Sequence, residues 1–241
     1  MKTLLKNLVL KSLAPCALLV TAGSLNAQVT IGLDPSAPWQ GFMNVFNLPG
    51  TGNYPPNLGA YQFGSGWGTP DLRATWSGPV LTLSPNNIND PNSYWYTPGG
   101  GPTATGNKIM DANMYVEIGS LPGQTVTFTA NVLADTLVGS VDPNGNGWTS
   151  VAFIKDFAPD YSTFNQQTVI LTPGVFSISL ATVNDPLRHV QYGFETLGPD
   201  VWATDPRLPG YGNVQIVPEP SSLVFLGLGS IGACCAWRRR K

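Results

Sequence analysis

Catalysis in this chain of 241 residues would have to draw on a short inventory of side chains. His189 is the single histidine, so a centre built from several imidazoles is excluded and a Ser-His-Asp triad would need that one residue. At the start of an expected strand, it reads as structural. Neither a Gly-x-Ser-x-Gly elbow nor a Gly-x-x-x-x-Gly-Lys phosphate loop occurs. Glycoside hydrolysis needs two positioned carboxylates, one of them with a raised pKa. Glu117 and Glu195 could supply them, but so could many pairs in an acidic domain, so no catalytic residue is assigned and the chain reads as non-enzymatic.

"DPNGNG", Asp142 to Gly147, fits the opening of a calcium loop, but position twelve is Phe153, where a bidentate glutamate is required. It reads as a strand-connecting turn. No cofactor or metal ligand set is evident, and structural calcium elsewhere is left open. The aromatics offer a different chemistry, because flat rings beside Asn and Asp hold sugars by stacking and polar contacts. "GSGWG" places Trp67 without bulky neighbours, and "SYWYTPGGG" sets Trp95 and Tyr96 beside a glycine-rich loop. Trp67, Trp95 and Tyr96 are the stacking candidates; Trp148 and Trp202 are weaker ones.

The elements that must position these residues read as strands. "TVTFTANVLAD", Thr125 to Asp135, alternates apolar with small polar residues after the turn Leu121-Pro122-Gly123. Further runs are 81–83, 115–118, 151–156, 168–171, 176–183, 189–195 and 211–216, separated by Pro/Gly turns. About eight short strands without amphipathic helices between them predict an all-β antiparallel sandwich. Between Gly50 and Gly106 the breakers "LPGTGNYPPNLG", "GSGWGTP" and "TPGGGPTATG" predict long ordered loops over one face, since residues such as Trp39, Phe42, Tyr61 and Trp76 are too apolar for a solvated stalk.

The two ends carry the clearest signals. Lys2, Lys6 and Lys11 precede the apolar stretch 13–22, and Leu25-Asn26-Ala27 closes on a small residue, the pattern of a signal peptide cleaved after Ala27 by signal peptidase. At the other end 221–237 is uncharged, about 26 Å as a helix. It runs into Arg238, Arg239, Arg240 and Lys241, a cytoplasmic stop under the positive-inside rule. Cys16 lies in the signal and Cys234 and Cys235 in the apolar run, so residues 28–217 hold no cysteine and no disulfide. That exported part carries five cations against thirteen carboxylates, a net of −8, which argues against nucleic acid as a partner.

Val217-Pro218-Glu219-Pro220-Ser221 before an apolar helix and a terminal arginine cluster resembles the PEP-CTERM sorting signal of bacteria that make exopolysaccharide. The resemblance divides the chain into a signal peptide (1–27), an exported sandwich domain (28–217) and a sorting signal (218–241). It implies an inner-membrane precursor, recognition by an exosortase-type enzyme near Pro218-Glu219-Pro220, and delivery to the envelope, surface or extracellular matrix. The two prolines suit an extended segment accessible to that enzyme.

Residues 115–216 are weakly similar to the strand succession of jelly-roll, galactose-binding-like carbohydrate modules, from "YVEIGSLPGQTVTFTANVLADTL" to "YGNVQI". This resemblance implies exopolysaccharide as a partner. A purely structural matrix or adhesion protein is the competing expectation, and a hydrolase on Glu117 and Glu195 the third.

Overall fold

The computed structural model describes residues 27–49 and 58–219. In chain order the strands are β1 (Gln28–Gly32), β2 (Gln40–Asn47), β3 (Tyr61–Trp67), β4 (Ala74–Ser77), β5 (Val80–Leu83), β6 (Asn87–Ile88), β7 (Tyr96–Thr97) and β8 (Thr105–Gly106). There follow β9 (Lys108–Glu117), β10 (Thr125–Asp135), β11 (Thr149–Phe157), β12 (Phe164–Ile170), β13 (Gly174–Ala181), β14 (His189–Pro199), β15 (Val201–Trp202) and β16 (Val214–Val217). Twelve of these form two six-stranded sheets. The first runs β1-β10-β16-β5-β4 with β13 on the other edge of β10; the second runs β12-β11-β14-β9-β2-β3.

Alternation explains why these segments pair as they do. In β9, Met110, Ala112, Met114 and Val116 are buried inward, and Asp111, Asn113, Tyr115 and Glu117 take the opposite face. In β10, Val126, Phe128, Ala130 and Val132 do the same for the first sheet. The inner faces meet through Phe128, whose ring lies 5.0 Å from Tyr192 and 5.4 Å from Phe194, with Phe176 closing the group. Two-sided packing of this kind makes an all-β, sandwich-like body. The pairing is not wholly antiparallel, because β1 joins β10 in parallel.

The N-terminal third departs from the loops expected there. β2 is an interior strand of the second sheet, with Met43 and Val45 fully buried, and Trp39 packs on Trp76, Tyr192 and Phe194. Of the glycines that read as breakers, Gly64, Gly66 and Gly106 sit within paired strands. A Cβ on Gly64 would stand 2.7 Å from the Phe42 ring and 2.9 Å from the Tyr61 hydroxyl, so the missing side chain makes room for its neighbours. At the other end, residues 211–216 do not form one strand: Tyr211 closes a short helix, α1 (Leu208–Tyr211), and Gly212, at φ +83°, turns beside Thr136 into β16.

A buried ion pair fixes the loop before β14. Asp156, fully buried on β11, accepts from Arg188 Nε at 2.7 Å and from the Val183 N–H at 2.8 Å. Removing either charge would strand the other in the interior. Among the described residues no helix is long and apolar enough to cross a membrane. The expected signal helix and the apolar run 221–237 with its basic tail lie outside the described residues.

Candidate functional site

The outward face of the second sheet carries a continuous polar network. Asn44 Nδ2 donates to Asp111 Oδ2 at 3.0 Å, and Asn113 Nδ2 donates to Asp111 Oδ1 at 2.6 Å. Lys155 Nζ donates to Asn113 Oδ1 at 2.7 Å and to Glu195 Oε2 at 3.1 Å. Strand register creates this chain: Asn44 faces Asp111 across β2 and β9, while Asn113 faces Glu195 across β9 and β14. Phe153 is fully buried on the same face and lies 4.1 Å beneath the Lys155 ammonium, giving the network an apolar floor.

Burial pushes Asp111 up to about 7, and the nearby Glu195 charge adds to the rise. Lys155 and the hydrogen bonds from Asn44 and Asn113 oppose it without cancelling it.

A second cluster lies nearer the C-terminal end of β9. Glu117 accepts from Gln191 Nε2 at 2.8 Å, from His189 Nδ1 at 2.8 Å and from the Tyr161 hydroxyl at 3.2 Å. Burial works to raise Glu117, but the bonds from Gln191 and His189 hold it below the ordinary carboxylate value. Tyr161, stacked on His189 with centroids 4.1 Å apart, is pushed up to about 12 by burial and by the Glu117 charge. Gln191 pairs with both Glu117 and Lys155 in the strand register, so the two clusters share one surface. Exposed rings flank it: Phe42 and Tyr61, 36% and 57% accessible, over Gly64 on one margin, and Tyr161 and Phe164 on the other.

Glu117 and Glu195 are not brought together. Gln191 faces Glu117 and Asn113 faces Glu195, so the two acids are offset by four residues, about 13 Å along the strands, beyond the separations of up to about 9.5 Å used for glycoside hydrolysis.

The stacking candidates take three different positions. Tyr96 has no accessible surface: its hydroxyl lies 2.6 Å from the Ile88 carbonyl and 3.0 Å from that of Val201, and burial raises its pKa. Its expected stacking role is therefore corrected, for no sugar ring can reach it. Trp95 is half-buried, edge-on to Tyr94 at 4.7 Å and to Phe63 at 6.2 Å. Trp67 is not on a loop but ends β3, half-buried, with its indole N–H donated to Ser65 Oγ at 2.8 Å. It still lines an open cleft of about 680 Å³ with Asp71, Arg73, Asn87 and Asn89. Trp148 is buried against Tyr211, and Trp202 packs on Tyr96.

Asp142–Gly147 forms a compact turn in which Asp142 Oδ1 accepts from the N–H groups of Asn144 and Asn146 at 2.9 and 2.7 Å. Phe153, at the position a calcium loop reserves for glutamate, is buried in β11. Among the described residues no three His, Cys, Asp or Glu side chains gather to hold a metal ion.

Asn44, Asp111, Asn113, Lys155, Gln191, Phe42 and Tyr61 were not singled out from the sequence as site residues. The available signal was "KIMDANMYVE", in which Asp111 and Asn113 alternate with Met110, Ala112 and Met114. Polar residues at every second position of a strand mark its outward face.

Both ends of the described chain are held as well. Ala27 is at the surface and its carbonyl accepts from the Thr125 N–H at 2.8 Å, while Pro218 and Glu219 are half-buried beyond β16. Pro220, the 221–237 run and 238–241 lie outside the described residues. Residues 217–241 match the PEP-CTERM protein-sorting motif. PEP-CTERM signals mark exported, membrane-processed proteins and imply an exosortase-type sorting system as the processing partner. No curated protein and no solved structure matches the chain.

Proposed function

We propose that this PEP-CTERM protein is delivered by its sorting system to the cell envelope or matrix, where the sandwich binds extracellular polysaccharide without turning it over. The observation that carries the reading is the outward face of the second sheet, where Asn44, Asp111, Asn113, Lys155 and Glu195 form one hydrogen-bonded chain. Carboxamides and carboxylates fixed in advance recognise sugar hydroxyls, and rings at the margins stack on sugar faces. From β3 to β11 the face crosses four strand spacings, about 19 Å, which suits several units of a polymer better than a single chain end. The cleft beside Trp67 is a smaller alternative position for the same class of ligand.

Retention of the protein on immobilised exopolysaccharide tests this reading. Loss on Asn44→Ala and on Tyr61→Ala supports the sheet face, and loss on Trp67→Ala alone moves the site to the cleft. No retention on any glycan, accompanied by self-association, favours a structural matrix role instead.

One observation favours a hydrolase: Asp111, near neutral in its pKa, lies diagonally across from Glu195. Against it, both Asp111 oxygens accept side-chain hydrogen bonds, and Glu195 is paired with Lys155. Cleavage of a polysaccharide, abolished by Asp111→Asn, would reverse the non-catalytic reading.

A further inference from the structure

β13 covers one edge of β10 from Thr125 to Val132. The other edge is divided: β1 pairs with Thr125–Thr129, and β16 starts at Asn131. Because β1 is parallel to β10 and β16 antiparallel, the start of β1 and the end of β16 point to the same pole of the sandwich. Two residues beyond the Asn131–Val217 pair, the β16 register would set Glu219 opposite Thr129, a place Gly32 of β1 already holds. The chain must leave the ladder at Pro218, which has no N–H to contribute.

It does not leave the surface. Pro218 and Glu219 are half-buried, and the Thr129 hydroxyl donates to Glu219 Oε1. Gly32 puts no side chain beside Thr129 on that face, so the carboxylate is unobstructed.

We infer that the sandwich clasps its own sorting signal: Thr129 holds Glu219 against β10, and the sorting enzyme engages the motif only after Pro218 and Glu219 lift away. The inference rests on the reading of the motif as an exosortase substrate. The clasp is weak enough to open, because a hydroxyl has one proton and the Phe176 carbonyl, 2.7 Å from the same Thr129 oxygen, competes for it. Since the clasp exists only when β10 and β16 are paired, the rate of sorting also depends on folding of the sandwich.

The experiment follows conversion of full-length precursor to processed protein by pulse-chase in a host with an exosortase. Thr129→Val keeps the shape and removes the hydroxyl, and should speed conversion about tenfold, the factor one modest charge-assisted hydrogen bond carries. Four Gly/Ser residues inserted between Val217 and Pro218 should do the same with the sandwich untouched. Thr127→Val, one outward position along β10, should leave the rate unchanged. If Thr129→Val and the insertion both leave conversion unchanged or slow it, the clasp is overturned. Failure of the unaltered precursor to be processed at all, with or without the enzyme, would instead remove the sorting reading beneath it.

Discussion

The two outward faces of the sandwich share one core and differ in almost everything else. On the second sheet, Asp111, Lys155 and Glu195 are linked through Asn44 and Asn113 beside the buried Phe153, and Glu117 is bonded to His189 and Gln191 in a neighbouring cluster. On the first, the outward positions of β1, β10 and β13 include a block of hydroxyls: Thr30, Thr125, Thr127, Thr129, Ser177 and Ser179. Thr127 and Ser179 bond each other at 2.7 Å, and Thr129 reaches a backbone carbonyl. A threonine face suits strand propensity and is satisfied locally. A half-buried network of charges brings a desolvation cost and little stability in return. The charges gather on one face, where folding gains least from them, and that is the ground for placing the proposed ligand on that side.

The largest expected contrast concerns glycines. A Cβ on Gly193 of the charged face would stand 2.0 Å from the Met114 carbonyl, whereas one on Gly32 of the hydroxyl face would meet nothing within 4 Å. Gly193→Val should destabilise by roughly 3 kcal/mol or more, and Gly32→Ala should stay within about 0.5 kcal/mol, as read by urea unfolding. Equal costs would mean that the charged face is not closely packed.

The next effect is electrostatic. Asp111 is held up to about 7 in the fold against an ordinary 3.8, so between those pH values the native state keeps a proton that the unfolded chain has lost. Its contribution to stability is therefore full below about pH 4 and is lost as pH rises to about 7. Glu117, held low, works in the opposite sense: its contribution is present above the ordinary 4.5 and is lost as pH falls through its lower folded value. Melting temperature against pH should lose its decline between pH 4 and 7 in Asp111→Asn and keep it in Thr127→Val; an unchanged decline in Asp111→Asn would place the titrating group elsewhere.

Smaller still, Phe42→Ala and Tyr61→Ala should each weaken polysaccharide binding about tenfold in calorimetric titration, while Thr125→Ala on the opposite face leaves it unaltered. Least of all, Thr127→Val should cost about 0.5–1 kcal/mol in thermal unfolding, the worth of one half-exposed hydroxyl pair.

Legibility in the sequence followed the range of the interaction. Thr125–Asp135 was readable to its ends because its alternation is local and uninterrupted. β2 was hidden by its glycine-rich partner: Gly64 and Gly66 look like a loop until Phe42, Asn44 and Tyr61 are seen to need the space above Gly64. Trp67 lies beside a cleft that also holds Asn87 and Asn89, whereas Tyr96, next to Trp95 in sequence, is turned into the interior, where its hydroxyl serves the carbonyls of Ile88 and Val201.

By itself the sequence determined the sorting motif and the β character of the region before it. Those follow from hydropathy, charge and a period of two, which neighbouring residues set among themselves. Only the tertiary structure decided that Asp111 meets Asn44 and Asn113, that Glu117 and Glu195 stay apart, and that Glu219 comes to rest on Thr129, ninety positions away in the chain. Which strands become neighbours depends on the burial of one shared core, and no local pattern encodes that choice.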